Sequence, residues 1–268
     1  MKKARRGGFL VGILVAVLLT LLRWLDPQPL QDLRAASLDI YQRLQPRAAV
    51  ETPITVLAID EASLKAQGQW PWPRHKLAEL NARLLELGAA SVSYDILFAE
   101  ADRLSPATIG RDLGLSDPQL LAALRDGDSD FAAAIAGQPV ALAFTDTPGQ
   151  VALPPVKAGF AISGEEVASG LTPVTAAILP LPALVEAASG LGHISLSGRQ
   201  AGSTVREVPL LMAGGGNLYP ALLLEALRLG AGASTYMVQG DPAYAGQMQS
   251  LRVADFVVPI AHIPCDDF

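Results

Sequence analysis

The spacing of apolar positions changes several times along the chain, and each change predicts an element. Residues 7–25 are apolar except for Thr20 and Arg23, a run as long as a bilayer-spanning helix of about 17–25 residues with an arginine able to snorkel at one end. Leu30, Leu33, Leu38, Tyr41 and Leu44 then recur at helical spacing up to Pro46, which predicts an amphipathic helix. Residues 54–59 are a short β-branched-rich run without helical period, the form of a buried parallel strand. A helical turn over 63–67 breaks at Gly68, and Pro71 and Pro73 hold Trp70 and Trp72 in extended or turn backbone. From Arg74 onward Leu77, Leu80, Leu84 and Leu87 make one helical face that Gly88 terminates. Residues 90–98 read as a second strand, so this stretch predicts a right-handed βαβ unit.

Further on, residues 102–128 are polar, with a helix expected over 117–125 capped by Ser116 or Asp117. A helix over 130–136 stops at Gly137, and 139–144 is a third strand. Residues 145–191 are rich in Pro, Gly and Ala, predicting loops, short strands and a helix over 181–189. Strands over 193–196 and 205–212, a turn at Gly214, Gly215, Gly216 and Asn217, and a helix over 220–229 follow. The fold class expected is α/β: a parallel βαβ core sheet extended by antiparallel strands, preceded by one N-terminal transmembrane helix.

Composition sharpens this. Hydrophobic residues are 50% and charged residues 17% of the chain, too apolar for disorder and unusually apolar for a soluble domain. A pI near 5.1 without a clustered basic face excludes nucleic acid as a partner. The basic cluster is Lys2, Lys3, Arg5 and Arg6, which by the positive-inside rule puts the N-terminus in the cytoplasm and the chain after about residue 26 outside. The competing reading, a cleaved signal peptide, calls for a shorter apolar region of about 7–15 residues and a small-x-small site, and neither is present. The expected organisation is a cytoplasmic end (1–6), an anchor (7–25), an extracytoplasmic domain (26–260) and an atypical tail (261–268). The single cysteine, Cys265, excludes an intrachain disulfide and multi-cysteine metal sites.

Candidate chemistry gathers between residues 60 and 102. Asp60 and Asp95 end the two strands of the predicted βαβ unit, the edge where open parallel sheets bind ligands, and Glu61, Glu100 and Asp102 lie beside them in sequence. Converging carboxylates there can hold a divalent cation or share a proton; alternatively Asp60 caps the turn at Ala62 or Ser63, and the later acids are solvated loop residues. Trp70 and Trp72 with Arg74 offer an aromatic wall and a cation for an anionic or planar ligand, or else a rigid packed corner. His75, His193 and His262 lack metal spacing. The glycine run at 214–216 has no following Lys-Ser/Thr pair and is not a P-loop, and no Gly-x-Ser-x-Gly elbow occurs. No catalytic set is visible, no cofactor is implied and a metal role stays open.

Taken in order, the anchor, residues 38–47 (LDIYQRLQPR), 59–64 (IDEASL), 68–74 (GQWPWPR), 88–89 (GA), 95–98 (DILF) and 102–106 (DRLSP) resemble the CHASE family of the second type, the cyclases/histidine kinases associated sensory extracellular domain. Residues 192–194 (GHI), 205–210 (VREVPL) and 218–222 (LYPAL) continue the likeness, which covers nearly all of 30–260. The resemblance implies a sensor outside the bacterial inner membrane, joined in longer relatives to a cyclase or kinase output module, and a non-enzymatic role for this chain. Residues 263–268 depart from the family pattern, with no further apolar span or output domain following. The partners expected are the membrane, a small-molecule, ion or protein ligand, and a second copy of the chain. The alternatives are a metal-assisted hydrolase using Asp60 and Asp95 with Glu100 or Asp102, and a structural envelope or dimerisation module.

Overall fold

The computed structural model describes residues 2–46, 48, 51–149, 152–164, 167–196, 205 and 208–260. The chain divides into two compact units, residues 1–57 with 199–207, and residues 58–198 with 208–268.

In the first unit, α1 (Lys2–Leu25) and α2 (Gln28–Leu44) meet at a corner made by Asp26 and Pro27. Pro29 lies in the first turn of α2, where a missing N–H costs no helical bond. The Asp26 carboxylate pairs with Arg34, and its carbonyl accepts from Gln31 Nε2 at 2.8 Å. Among the described residues no single helix is long and apolar enough to cross a membrane; Gly12–Leu25 and Gln28–Leu44, bent by 79°, pass that test as a pair. The amphipathic helix expected before Pro46 is present.

The next expectation is corrected. Residues 54–59 form no strand, and every one of them is exposed, Val56 at 84%. An apolar run states a demand for burial but does not name its partner, and strand preference is realised only when a neighbour supplies the ladder. The βαβ unit predicted from 54–59 through 90–98 is therefore absent.

The second unit contains α3 (Glu61–Gln67), α4 (Arg74–Glu86), β1 (Val92–Tyr94), α5 (Pro106–Leu113), α6 (Pro118–Ala122), α7 (Gly127–Ile135), β2 (Val140–Asp146), β3 (Gly159–Ser163), β4 (Thr172–Pro173), β5 (Ala177–Ile178), α8 (Pro182–Ala187) and β6 (Gly190–His193). β7 (Leu211–Gly214), β8 (Asn217–Pro220), α9 (Leu222–Gly230), β9 (Thr235–Gly240), β10 (Met248–Val253) and β11 (Phe256–Pro259) complete it.

Its centre is β2, parallel to β1 on one side and to β6 on the other, with β5 antiparallel at its end. Residues 140–144 are wholly buried, the continuous apolar run of a strand covered on both faces. Val140, Leu142 and Phe144 join the core with Leu77 of α4, Phe131 and Ile135 of α7 and Leu184 of α8. Ala141 and Ala143 meet Leu222 of α9 on the opposite face. Small residues on that side let the helix come close. Gly192 shows how close: a Cβ there would lie 2.4 Å from Leu222 Cα. Gly192→Ala is therefore expected to lower stability by about 1–3 kcal/mol in chemical denaturation, as overpacking against backbone does.

The remaining strands build two further sheets rather than lengthening the first. One has the order β11-β10-β9-β3, antiparallel except for β3 with β9; the other is β4-β7-β8. Tyr236, Val238, Leu251 and Val253 supply the first of these with its buried face against Leu224 of α9. β7 and β8 are joined at Gly215 and Gly216, whose φ of 57° and 79° suit the left-handed positions of a tight hairpin. The mixed α/β class is present, and the antiparallel strands expected as extensions mostly form sheets of their own.

Smaller differences have local causes. The buried face of α4 is Arg74, Leu77, Ala78 and Asn81, while Leu80 and Leu87 are exposed. Helix α5 was hidden in a polar stretch, although Ser105 accepting from Thr108 N and Pro106 in the first turn are a strong start signal. The strand expected over 205–212 lies partly outside the described residues, as do His262 and Cys265.

Candidate functional site

The site is a cleft of about 380 Å³ beside the Trp-Pro corner. It is lined by Trp70, Pro71, Trp72 and Arg74 and by the chain after β1, including Ile96, Leu97 and Glu100 to Arg103. The corner is fixed locally. Gly68 ends α3 at φ 93°, the Trp70–Pro71 peptide is cis, and Trp72 Nε1 donates to Gly68 O at 2.8 Å. The two indoles meet edge to face with centroids 5.7 Å apart.

Arg74 opens α4 and is almost wholly buried. Its guanidinium lies 4.5 Å over the Phe98 ring. Phe98 packs with Tyr94 and Phe131 in a cluster of edge-to-face rings. Arg74 Nη2 donates to Glu100 O at 3.3 Å, and Nε stands 3.5 Å from Asp128 Oδ1, too far for a hydrogen bond. Both of those atoms lack a hydrogen-bond partner among the described residues. Burial pulls the Arg74 pKa down, against the charges of Asp128 and Asp102. Burial likewise pushes the Asp128 carboxyl up, opposed by a hydrogen bond from the Asp102 N–H and by Arg74.

Asp102 is 5% exposed and its oxygens are occupied: Oδ2 accepts from Arg74 N at 2.6 Å and Oδ1 from Leu104 N at 3.0 Å. It caps α4 across a gap in sequence, and its own N–H donates to Asp128 Oδ2 at 2.8 Å. Gly127 makes room for this arrangement, since a Cβ there would come 2.7 Å from Asp102 Oδ2. Asp102→Ala should cost about 1–2 kcal/mol in a thermal or urea melt, the loss of a cap and of a charge-assisted bond.

Of the residues singled out in the sequence, Trp70, Trp72, Arg74, Glu100 and Asp102 meet at this cleft. The others do not join it. Asp60 caps α3, accepting from Ser63 N at 2.8 Å, and that bond holds its carboxyl below the usual range. Glu61 lies exposed in the first turn of the same helix. Asp95 is exposed just past β1 and outside the cleft lining. The convergence of Asp60 with Asp95 rested on a strand at 54–59, and with that strand absent it has no basis. Among the described residues no group of three or more His, Cys, Asp or Glu side chains is placed to hold a metal ion. Asp128 was missed, although Asp126 capping α7 through the N–H of Asp128 is a readable start signal.

No curated protein and no solved structure matches the chain. The CHASE2 domain model matches residues 13–262, nearly its whole length. The chain thus belongs to the CHASE2 domain family, the sensory extracellular domains of signalling receptors.

Proposed function

We propose that this chain is the extracytoplasmic signal-input domain of a bacterial membrane receptor of the cyclase- or kinase-linked kind, and that its ligand binds in the cleft at the Trp-Pro corner. The observation carrying this reading is the family match over residues 13–262 together with an open, aromatic-walled cleft of about 380 Å³, within the usual range of small-molecule sites at about 300–1,000 Å³. Residues 7–25 serve as the anchor, supported by their apolar run and the basic cluster before it. α2 passes the ligand-induced change toward the membrane. The domain binds and does not catalyse: Asp102, the most buried acid of the cleft, is committed to backbone N–H groups and is not free to act as a base.

Anchor and orientation are tested together with a pair of reporters fused after Phe268, one active only in the cytoplasm and one active only outside the inner membrane. The expected result is a chain in the carbonate-resistant membrane fraction with activity from the outside reporter alone. Cytoplasmic activity, or release of the chain into the soluble fraction, overturns the placement.

A further inference from the structure

We infer that residues 103–125 form a lid for the cleft at the Trp-Pro corner, hinged where Asp102, Arg74 and Asp128 meet, and that closure carries the exposed leucines of α5 and α6 across the mouth. The inference rests on reading the cleft as the sensor's binding site, and adds how that site closes.

The segment leaves and rejoins the domain at one point. It departs at Asp102, whose N–H donates to Asp128 Oδ2 at 2.8 Å, and returns through Asp126, which caps α7 by accepting from Asp128 N. Between these ends α5 and α6 pack on each other at Gly110. A Cβ there would stand 3.1 Å from Leu115 O and 3.2 Å from Leu121 Cδ2, so the two helices lie close and move as one piece. Their hold on the rest of the domain is slight. Thr108 and Gly110 are the buried residues of α5, and α6 has none. Leu104, Leu113 and Leu120 are 47%, 70% and 47% exposed, and among the described residues no leucine of this excursion joins a hydrophobic core. A unit tied by its ends, with apolar side chains uncovered, belongs to the low-stability part of a fold from which moving elements are drawn.

The outbound limb starts on the cleft itself. Glu100, Ala101, Asp102 and Arg103 line it, and Ser105 caps α5 two residues later. The eight residues of α5 span about 12 Å, enough to cross the mouth of a cleft of about 380 Å³. Trp70, Trp72, Ile96 and Leu97 make part of that mouth apolar, so closure removes apolar surface from water on both sides.

The hinge has one loose member. Asp102 accepts from Arg74 N at 2.6 Å and from Leu104 N at 3.0 Å, whereas Arg74 Nε and Asp128 Oδ1 are ion-paired at 3.5 Å without a hydrogen bond. Closing this gap by about 0.5 Å makes the bond and moves the start of α7, the return limb of the lid, relative to α4. The other tether, Arg125 with Glu79 of α4 at 3.9 Å, is an exposed pair and resists motion weakly. Closure is thus registered at the first residue of α4.

The test uses the full chain in detergent micelles with Trp24→Phe and Cys265→Ser, which leaves Trp70 and Trp72 as the tryptophans and removes the native thiol. Leu97→Cys on the rim and Leu113→Cys on the lid, both exposed positions, are oxidised with copper phenanthroline. The expected result is a disulfide within one chain that lowers acrylamide quenching of the two indoles roughly twofold or more, reversed by reduction, because a closed lid excludes solvent from the site. Adding Leu120→Asp, which exposes no core, should slow disulfide formation about tenfold, the worth of one leucine side chain no longer buried. A disulfide between two chains only, no disulfide, a disulfide that leaves quenching unchanged, or a rate indifferent to Leu120→Asp each overturns the lid. Failure of the binding reading looks different: the disulfide forms and shields both indoles, yet no small organic acid or neutral metabolite shifts the thermal midpoint of the reduced chain. Midpoint shifts in a chain that forms no disulfide keep the binding site and remove the lid.

Discussion

Glu225→Ala should be among the most damaging single substitutions in this protein, lowering stability by about 3–5 kcal/mol, the cost of leaving a buried charge without its partner. Glu225 has no exposed surface. Its Oε1 accepts from Tyr236 OH at 2.6 Å and from Arg228 Nε at 2.9 Å, and Oε2 accepts from Arg228 Nη2 at 2.7 Å. Arg228 then donates to Ala233 O and Ser189 O, each at 3.0 Å. One ion pair on α9 therefore ties together the approach to β6, the approach to β9 and the helix between them. Burial and the Glu225 charge push the Tyr236 phenol well above its ordinary pKa, so it remains a donor throughout the working range. With Glu225 gone, the Arg228 cation stays buried against two carbonyls and the Tyr236 hydroxyl loses its acceptor. Tyr236→Phe removes one bond and keeps the pair, and should cost less, about 1.5–3 kcal/mol. Urea denaturation of the two variants measures both; equal losses would contradict the assignment of the pair as the main element.

Acid should weaken the fold through His193. The side chain is 1% exposed at the end of β6, its ring 6.2 Å from that of Phe144, and both nitrogens lack hydrogen-bond partners among the described residues. Burial pulls its pKa from 6.5 down to about 4, although the Asp146 carboxylate on β2 favours the cation. Because the folded value lies below the unfolded one, the unfolded chain binds the proton first. The contribution of neutral His193 is complete above about pH 6.5 and is lost as pH falls toward about 4, roughly 3 kcal/mol in all. His193→Leu keeps the approximate volume, removes the orphaned nitrogens and should flatten the stability profile across that window relative to the native chain. A leucine variant with the same acid slope as the native protein would show that the dependence arises elsewhere.

What could be read from the sequence follows a physical line. Elements set by local chemistry were legible: α2 from its period and Pro46, α6 from Asp117, the end of α4 from Gly88, and β2 from a run too apolar to face water. Elements set by partners were not. Residues 54–59 have the composition of a buried strand and lie exposed, because composition does not choose the neighbouring edge. The same gap divided the candidate site. Trp70, Trp72, Arg74, Glu100 and Asp102 meet because Asp102 caps the helix that Arg74 begins, whereas Asp60 and Asp95 were linked only through the missing strand. Arg74 was legible as a cation beside two indoles. Its burial over Phe98 and its pairing with Glu100 O and the Asp128 carboxylate depend on residues more than twenty positions away and required the fold. Glu225 gave no signal in the sequence, since an acid inside an apolar helical stretch is ordinarily a solvated position.

The account turns on the cleft at the Trp-Pro corner being where this domain binds its ligand. The most direct measurement is the thermal midpoint of the full chain and of its Trp72→Ala variant against a panel of small organic acids and neutral metabolites, since a compound that binds the native state raises the midpoint by mass action. The account predicts saturable increases in the native chain that disappear in Trp72→Ala while the variant remains folded. Increases of the same size in both proteins would place the binding elsewhere and contradict it.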